Sequence, residues 1–392
     1  MNFTELKQMD KEYVANTYGR FDLAIKEGKG AVCKDFDGKS YIDFSSGIGV
    51  NSFGYCDKEW TTAVKSQLDK LAHMSNLYYT QPGAELAKAL CLATGMKKVF
   101  FANSGAEANE GAIKTARKYS ADKYSSDRYE IITLVNSFHG RTITTLAATG
   151  QDHFHQKFQP LTQGFIHATA NDIADLTAKV SNKTCAIMLE VIQGEGGVIP
   201  LDHTFVSAAA KLCADNDLIL IIDEVQTGIG RTGKLFAYEH FDIKPDIVTM
   251  AKGLGGGLPI GGIIFGEKTE NVLGTGDHAT TFGANPIVCA GALTVVNRMT
   301  DEFLQNVTAK GDYIFQRLSS CSNVKSVSGM GMMVGIELKN GTSKAAVEKC
   351  IQNGLIALTA KEKIRLLPPL NISKEELKQG VYILCDVIQS IR

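Results

Sequence analysis

The sequence predicts an α/β protein with a mostly parallel sheet, and three observations carry that prediction. Short apolar runs recur, each closed by a Gly-rich or polar turn; segments of helical period lie between them; and most runs are continuously apolar rather than alternating. A continuously apolar strand is one covered on both faces, which happens when helices cross over each side of a parallel sheet.

In chain order the predicted strands are VFFA (99–102), IITLV (131–135), CAIMLEV (185–191), LILII (218–222), IVTM (247–250) and IGGIIFG (260–266). Between them, Phe205, Ala208, Ala209 and Leu212 make the i, i+3, i+4, i+7 stripe of a helix, and Ala108, Ala112 and Ala116 repeat every four residues. Beyond about residue 290 the pattern changes. Helical stretches over 286–299 and 301–319 precede a short strand around MMVGIEL and a final helix. Ser373 and Glu376 form a capping box for that helix, and Leu377, Val381, Leu384 and Ile388 are its apolar stripe. The expected organisation is a large domain over 51–289, a smaller one over 290–392, and an N-terminal segment, 1–50, joining the smaller one.

With 392 residues, 44% of them hydrophobic, the chain can bury a large core. Its 41 basic and 42 acidic residues leave a net charge of -1, so no electrostatic footprint for nucleic acid or an anionic membrane is present. Small-molecule chemistry is the class that remains. The opening MNFTELKQMDKEY has no basic segment followed by an apolar run, and no stretch approaches the ~18 apolar residues of a spanning helix. A cytoplasmic location is expected. The nine cysteines are odd in number and scattered without a C-x-x-C, which argues against a disulfide framework or zinc knuckle. Cys185, Cys213 and Cys385 lie in apolar runs and read as small buried hydrophobes. His153 and His155 have the spacing of one strand face but lack a third ligand, so they read as solvated polar residues and no metal is expected.

Residues 218–234, LILIIDEVQTGIGRTGK, carry two phosphate-binding patterns at once: Gly228, Gly230 and Gly233 spell G-x-G-x-x-G, and Gly228, Gly233 and Lys234 spell most of a P-loop. Both fail on context. A P-loop needs Ser or Thr after the lysine to ligate magnesium, and position 235 is leucine. The dinucleotide pattern needs its first glycine at the strand end, yet DEVQT intervenes and no clean helical stripe follows.

Asp223 stands at the end of a strand made of Leu and Ile. An ionised acid there requires a cation or neutralises; alone, it reads sooner as a turn or N-cap aspartate that needs no ligand. The next strand runs into Lys252, and ligands of open α/β sheets bind at the carboxyl ends of strands. An acid and an amine on neighbouring strand ends are the pair that pyridoxal 5'-phosphate (PLP) requires: the amine bonds its aldehyde, and the acid keeps its pyridine nitrogen protonated. VFFA followed by NSGAEANEGAIKTARKY adds a strand, a tight turn and a helix start, where backbone N–H groups receive a phosphate. Gly105 lets the backbone approach closely, although an ordinary helix entry capped by Asn103 or Ser104 fits the same residues.

Together with TYGR (17–20), HMSNLYYTQP (73–82), SFHGRTITTLAATG (137–150), QGEGGV (193–198), AKGLGGGLPIGG (251–262), TTFGANP (280–286) and RLLPPL (365–370), these segments resemble the class III PLP-dependent aminotransferases over nearly the whole chain. The resemblance implies the type I fold of PLP-dependent transferases, like aspartate aminotransferase: a large domain with a mostly parallel sheet plus a smaller α+β domain. It also implies that Lys252 and Asp223 are catalytic, and that Gly105 and Ala106 hold the phosphate. Phe138 and Val225 would flank the ring, Gln226 would reach its oxygen, and Thr281 would reach the phosphate in the neighbouring subunit of a homodimer with shared sites. Arg141, Glu195, Thr280, Arg365 and Tyr18 fall at substrate-binding positions. Arg141 matches a receiver of an acylated amino acid's carboxylate and Arg365 a receiver of a 2-oxo acid, with Glu195 pairing to Arg365 when its site is empty.

Within the family the likeness is to members that pass the δ-amino group of N2-acetyl-L-ornithine to 2-oxoglutarate, giving N-acetylglutamate 5-semialdehyde and L-glutamate in arginine biosynthesis. Members acting on succinylornithine, ornithine, acyl-lysine or acyl-diaminopimelate share nearly all these motifs. The departures from the pattern, Ile222, Tyr55 and Val191, remove no chemical group from the mechanism. Two other classes stay open on sequence: a nucleotide-binding protein using the glycine loop, and a catalytically silent binding paralogue.

Overall fold

A computed structural model describes residues 1–391. Three strands lie near the start of the chain, β1 (Ile25–Lys29), β2 (Val32–Asp35) and β3 (Ser40–Asp43). The central sheet is assembled from β4 (Lys98–Ala102), β5 (Glu130–Leu134), β6 (Phe165–Ala168) and β7 (Thr184–Leu189). A small hairpin, β8 (Ile192–Gln193) and β9 (Ile199–Pro200), precedes its remaining strands β10 (Ile219–Asp223), β11 (Ile247–Met250) and β12 (Gly261–Phe265). The sheet order is β4-β12-β11-β10-β7-β5-β6. All pairs from β11 to β6 are parallel, and β12 runs antiparallel to both of its neighbours.

Continuous hydrophobicity in these strands is explained by their two covered faces. Ala186, Met188, Ile219 and Ile221 point to one side with Ala108, Ala112 and Ala116 of the helix Gly105–Lys123. Ile187, Leu189, Leu220 and Ile222 point to the other, against Phe205 and Ala209 of the helix His203–Asp215. Side chains alternate at every residue of a strand, so a doubly covered strand must be apolar throughout. Each such isoleucine or leucine, withdrawn from water, contributes roughly 1.5–3 kcal/mol.

The helix over 203–215 differs from expectation in one respect. Its buried residues are Phe205, Val206, Ala209 and Cys213, whereas Ala208 and Leu212 are half-buried. Residues 205–210 are apolar at five of six positions. The pattern therefore leaves the rotation of the helix open, and packing selects it.

Past the central sheet, helices Pro286–Asn297 and Asp301–Ser319 lead into β13 (Val324–Met330), β14 (Met333–Leu338), β15 (Leu355–Ile356), β16 (Leu358–Ala360) and β17 (Lys363–Leu366). The closing helix, Lys374–Ser390, has the predicted capping box and buries Leu377, Val381, Leu384 and Ile388. β15 pairs in parallel with β3, and Ala31, Ile42 and Phe44 share a core cluster with residues 307–388. Sequence reasoning missed β1–β3, β6 and most of the C-terminal strands. These strands are two to seven residues long and most interleave polar with apolar residues, as in IKEGK and SYID, so they carry too little continuous apolar signal to be found.

All nine cysteines are free thiols, Cys185 and Cys213 buried and Cys385 half-buried. His153 and His155 are not on a strand: they fall in and just after a 3-10 turn, Asp152–Phe154. His153 is exposed, while His155 is half-buried with Nε2 bonded to the carbonyls of Leu146 (2.9 Å) and Thr149 (2.7 Å). Among the described residues, no helix is long and apolar enough to cross a membrane, and no His, Cys, Asp or Glu group could hold a metal ion.

Candidate active site

The carboxyl ends of β10 and β11 open onto a cavity of about 500 Å³. Asp223 is the last residue of β10, and its register partner on β11 is Thr249, three residues before Lys252. Both Asp223 and Lys252 line the cavity, as their strand-end positions require.

Asp223 is 3% exposed and fully engaged. Its Oδ2 accepts from Asn109 Nδ2 at 2.8 Å and faces His139 Nδ1 at 2.8 Å, and its Oδ1 accepts from the Val225 amide at 3.0 Å. The contact with Oδ2 requires the His139 proton on Nδ1. A buried carboxylate needs such donors, because each one offsets part of the lost hydration. Lys252 is the opposite case: its Nζ has no hydrogen-bond partner among the described residues. Burial pushes its ammonium below the usual lysine range, with the Glu195 carboxylate partly opposing that shift. Its backbone sits at φ 41°, the left-handed region that a side chain enters at a cost of about 1 kcal/mol or more.

One wall of the cavity is a helix start. Ser104 caps the helix Gly105–Lys123, its side chain accepting from the Glu107 amide, so the first amides of the helix point outward without intrahelical partners. A Cβ at position 105 would stand 2.7 Å from Val225 Cγ1. Glycine is therefore the residue that lets the helix end approach the β10 loop. Gly105 and Ala106 both line the cavity, as do Phe138, Val225 and Gln226. An anion cradle, a flat aromatic, a strand-end acid and an unpartnered amine fit PLP group by group.

Two arginines near the cavity differ in status. Arg141 lines it, is exposed, and has no acidic partner within salt-bridge distance among the described residues. Arg365 is 3% exposed, and its Nη1 bonds Glu195 Oε1 at 2.5 Å and Gln226 Oε1 at 3.1 Å. Burial works to raise the Glu195 carboxyl, yet the charge and hydrogen bond of Arg365 outweigh it and hold it below the usual range. Gln226 closes the triangle, donating from Nε2 to Glu195 Oε1 at 3.3 Å. Space for that contact depends on Gly194, where a Cβ would meet the Gln226 amide at 2.4 Å.

Three residues named from sequence stand apart from this cavity. Thr281 and Thr280 line a second, open pocket with His73, Asn76 and Leu77, where Thr280 Oγ1 accepts from Asn103 Nδ2 at 2.9 Å. Tyr18 is exposed and lies against Arg20, 5.4 Å from guanidinium carbon to ring centre. Conversely, sequence reasoning assigned no role to Asn109, His139 or Glu190, which all line the cavity. Asn109 and His139 lay inside quoted motifs without a partner to give them meaning. Glu190 carried the same signal as Asp223, an acid closing an apolar strand. Its Oε2 accepts from the Phe138 amide at 2.8 Å and its Oε1 from the Gly194 amide at 3.2 Å, and burial pushes its carboxyl up. Of the three departures, Ile222 and Val191 are fully buried in the core, and Tyr55 donates to Asp43 Oδ2 at 2.8 Å, all outside the cavity lining.

Residues 13–388 match the family model for class-III aminotransferases. The chain is 54% identical to an acetylornithine aminotransferase of Haemophilus ducreyi, with 100% of both chains covered. It is 44% identical to one of Methanocaldococcus jannaschii, with 98% of each covered. Among solved structures, an ornithine aminotransferase from Toxoplasma gondii superposes with a TM-score of 0.94 at 28% identity, covering 99% of this chain and 95% of that one. An N-acetylornithine aminotransferase from Stenotrophomonas maltophilia does so with 0.84 at 33% identity, covering 97% and 98%.

Proposed function

This chain belongs to the class-III aminotransferases, and from that premise we propose that it moves the δ-amino group of N2-acetyl-L-ornithine to 2-oxoglutarate. Transamination with PLP is the activity of the family; the substrates and the residue roles are the part proposed. The observation that carries the choice is the unequal state of the two arginines. Arg141 has no acidic partner among the described residues and can receive a carboxylate directly, while the charge of Arg365 is offset by Glu195. An open cation on the cavity wall and a gated one bonded to Gln226 at its edge suit an acyl amino acid carrying one carboxylate, followed by a dicarboxylate.

The cofactor supplies an aldehyde that bonds amines and a pyridine ring that accepts electrons. Amides at Gly105 and Ala106 would hold its phosphate, and Phe138 and Val225 would flank its ring. Asp223 keeps a proton on the ring nitrogen, oriented for this by Asn109 and His139. Lys252, whose burial favours the neutral amine, takes the proton from the substrate carbon bearing the transferred nitrogen and later returns one. Glu195 offsets the positive charge of Arg365 by pairing with it for the first half-reaction and releases it to the incoming 2-oxo acid in the second.

The reading also includes a homodimer with Thr281 serving the other subunit's phosphate. Support comes from exposed apolar side chains around the second pocket: Leu77 (89% exposed) lines it, and Phe282 (60%), next to Thr281 in the chain, lies against the ring of His73, another lining residue. Residues 51–289 are taken as the cofactor-holding domain and 290–392 with 1–50 as the smaller one, in keeping with the shared core of Ile42, Phe44 and the C-terminal elements.

A side-by-side assay of acetylornithine, succinylornithine, ornithine and acetyl-lysine with 2-oxoglutarate tests the substrate. Acetylornithine is expected to give the highest kcat/KM. A preference for ornithine or acetyl-lysine replaces it.

A further inference from the structure

The Arg141 side chain is held by ring faces alone. Its guanidinium carbon lies 4.0 Å from the ring centre of Phe154 and 5.4 Å from that of Phe138. No acidic group is within salt-bridge distance among the described residues, although the side chain is exposed and long enough to adopt many rotamers. Phe154 closes the 3-10 turn Asp152–Phe154 and is half-buried. That turn is anchored: the Phe154 amide donates to the Gln151 carbonyl at 3.0 Å, and the neighbouring His155 bonds the backbone of Leu146 and Thr149. Phe154 also meets Phe138 edge-on, with ring centres 6.2 Å apart at 76°.

We propose that Phe154 is a specificity-determining positioning residue, a fixed aromatic platform that orients the Arg141 guanidinium toward the carboxylate of the amino-group donor. This rests on the reading of Arg141 given above. An aromatic face attracts the cation and fixes the plane of the guanidinium, while leaving its N–H edge free for a carboxylate. An acidic partner would have fixed it equally well and occupied that edge. Phe138, shared with the cofactor's ring by the proposed reading, is the weaker of the two contacts, so the assignment falls on Phe154.

The test combines Phe154→Leu, Phe154→Tyr and Arg141→Gln. Affinity is measured by titration calorimetry on the holoenzyme with N-acetyl-L-norvaline, which keeps the carboxylate and acyl group but has no transferable amine. KM and kcat are measured with N-acetylornithine and with N-acetylputrescine, which lacks the carboxylate. Phe154→Leu is expected to weaken norvaline-derivative binding and raise KM for acetylornithine by about twofold to fivefold, the size of an exposed cation–π contact. With acetylputrescine KM stays unchanged; Phe154→Tyr, which keeps the ring, restores wild-type values; and Phe154→Leu adds nothing in the Arg141→Gln background. Equal losses with both amines, or full additivity with Arg141→Gln, overturn the proposal. If Arg141→Gln by itself leaves binding of the norvaline derivative unchanged, the reading of Arg141 fails and the platform's role falls with it, an outcome distinct from loss of the Phe154 effect alone.

Discussion

Arg365 on β17 and Glu195 in the turn between β8 and β9 meet with Nη1 and Oε1 2.5 Å apart, and Gln226 is bonded to both. The Arg365 Nε atom has no partner, so the pair is strong at one end and unsatisfied at the other. That arrangement suits a contact made to be exchanged. Glu195→Gln removes the competing carboxylate and leaves Arg365 open. Timed separately, the 2-oxoglutarate half-reaction is expected to show a lower KM, on the order of tenfold for ~1.4 kcal/mol of lost competition, and the acetylornithine half-reaction to slow. Unchanged rates in both dismiss the gate.

Lys252→Ala removes the amine that stands unpartnered at the strand ends among the described residues. Turnover is expected to fall by about 10⁴-fold or more, since bond formation to the cofactor and proton transfer both depend on it. Steady-state activity near the wild-type value in that variant would falsify the assignment.

Asp223→Asn keeps the shape of the side chain and removes its charge, leaving Asn109 and His139 facing an amide. The ring nitrogen then loses its proton partner. We expect kcat to drop by roughly 10²–10³-fold, the usual scale for deleting one preorganised electrostatic contact. KM for acetylornithine should change little, and a rise in KM with kcat unchanged argues against the role.

Glu224, next to Asp223 and outside the cavity lining, is buried, and that burial raises its carboxyl from 4.5 to about 7, against the hydrogen bonds from Thr227 and the Tyr238 amide. The folded pKa is above the unfolded one, so the folded state binds the extra proton between these values. Its contribution to stability is complete below pH 4.5 and is lost as the pH rises through about 7. Melting temperatures of Glu224→Gln and wild type, compared from pH 5 to 8, should show a shallower decline with pH in the variant. Parallel curves exclude Glu224 as the source.

If two chains share their sites, sedimentation gives the mass of a dimer, and Lys252→Ala mixed with Thr281→Ala forms one intact site per mixed dimer. That site should retain PLP with wild-type affinity, while Thr281→Ala dimers retain it less well. A sedimenting monomer, or no recovery on mixing, rules the arrangement out.

The parallel strands and the positions of Asp223 and Lys252 were legible in the sequence because both signals are local. Continuous apolar runs mark doubly covered strands, and an acid or amine closing such a run stands at a strand end whatever the topology. Asn109, His139 and Glu190 could not be assigned this way. Asn109 and His139 derive their roles from Asp223, which lies 114 and 84 residues away along the chain.

The glycine-rich GIGRTG stretch shows the same limit from the other side. Sequence context excluded a phosphate loop there, but only the fold shows what the loop does. Arg231 is fully buried and donates to the carbonyls of Met332 and Pro368, at 3.2 and 2.6 Å, tying the loop to the C-terminal strands.

The sequence by itself determined the α/β class, the strand-end acid and amine, and the membership of a cofactor-dependent family, because each is written in residues close together in the chain. Tertiary structure decided which side chains complete the site: the Asn109–His139 support under Asp223, the Glu195–Arg365 pair and the aromatic platform beneath Arg141. Those contacts join segments that meet only when the sheet closes and the C-terminal elements pack against it, and no periodicity or spacing encodes a distance between them.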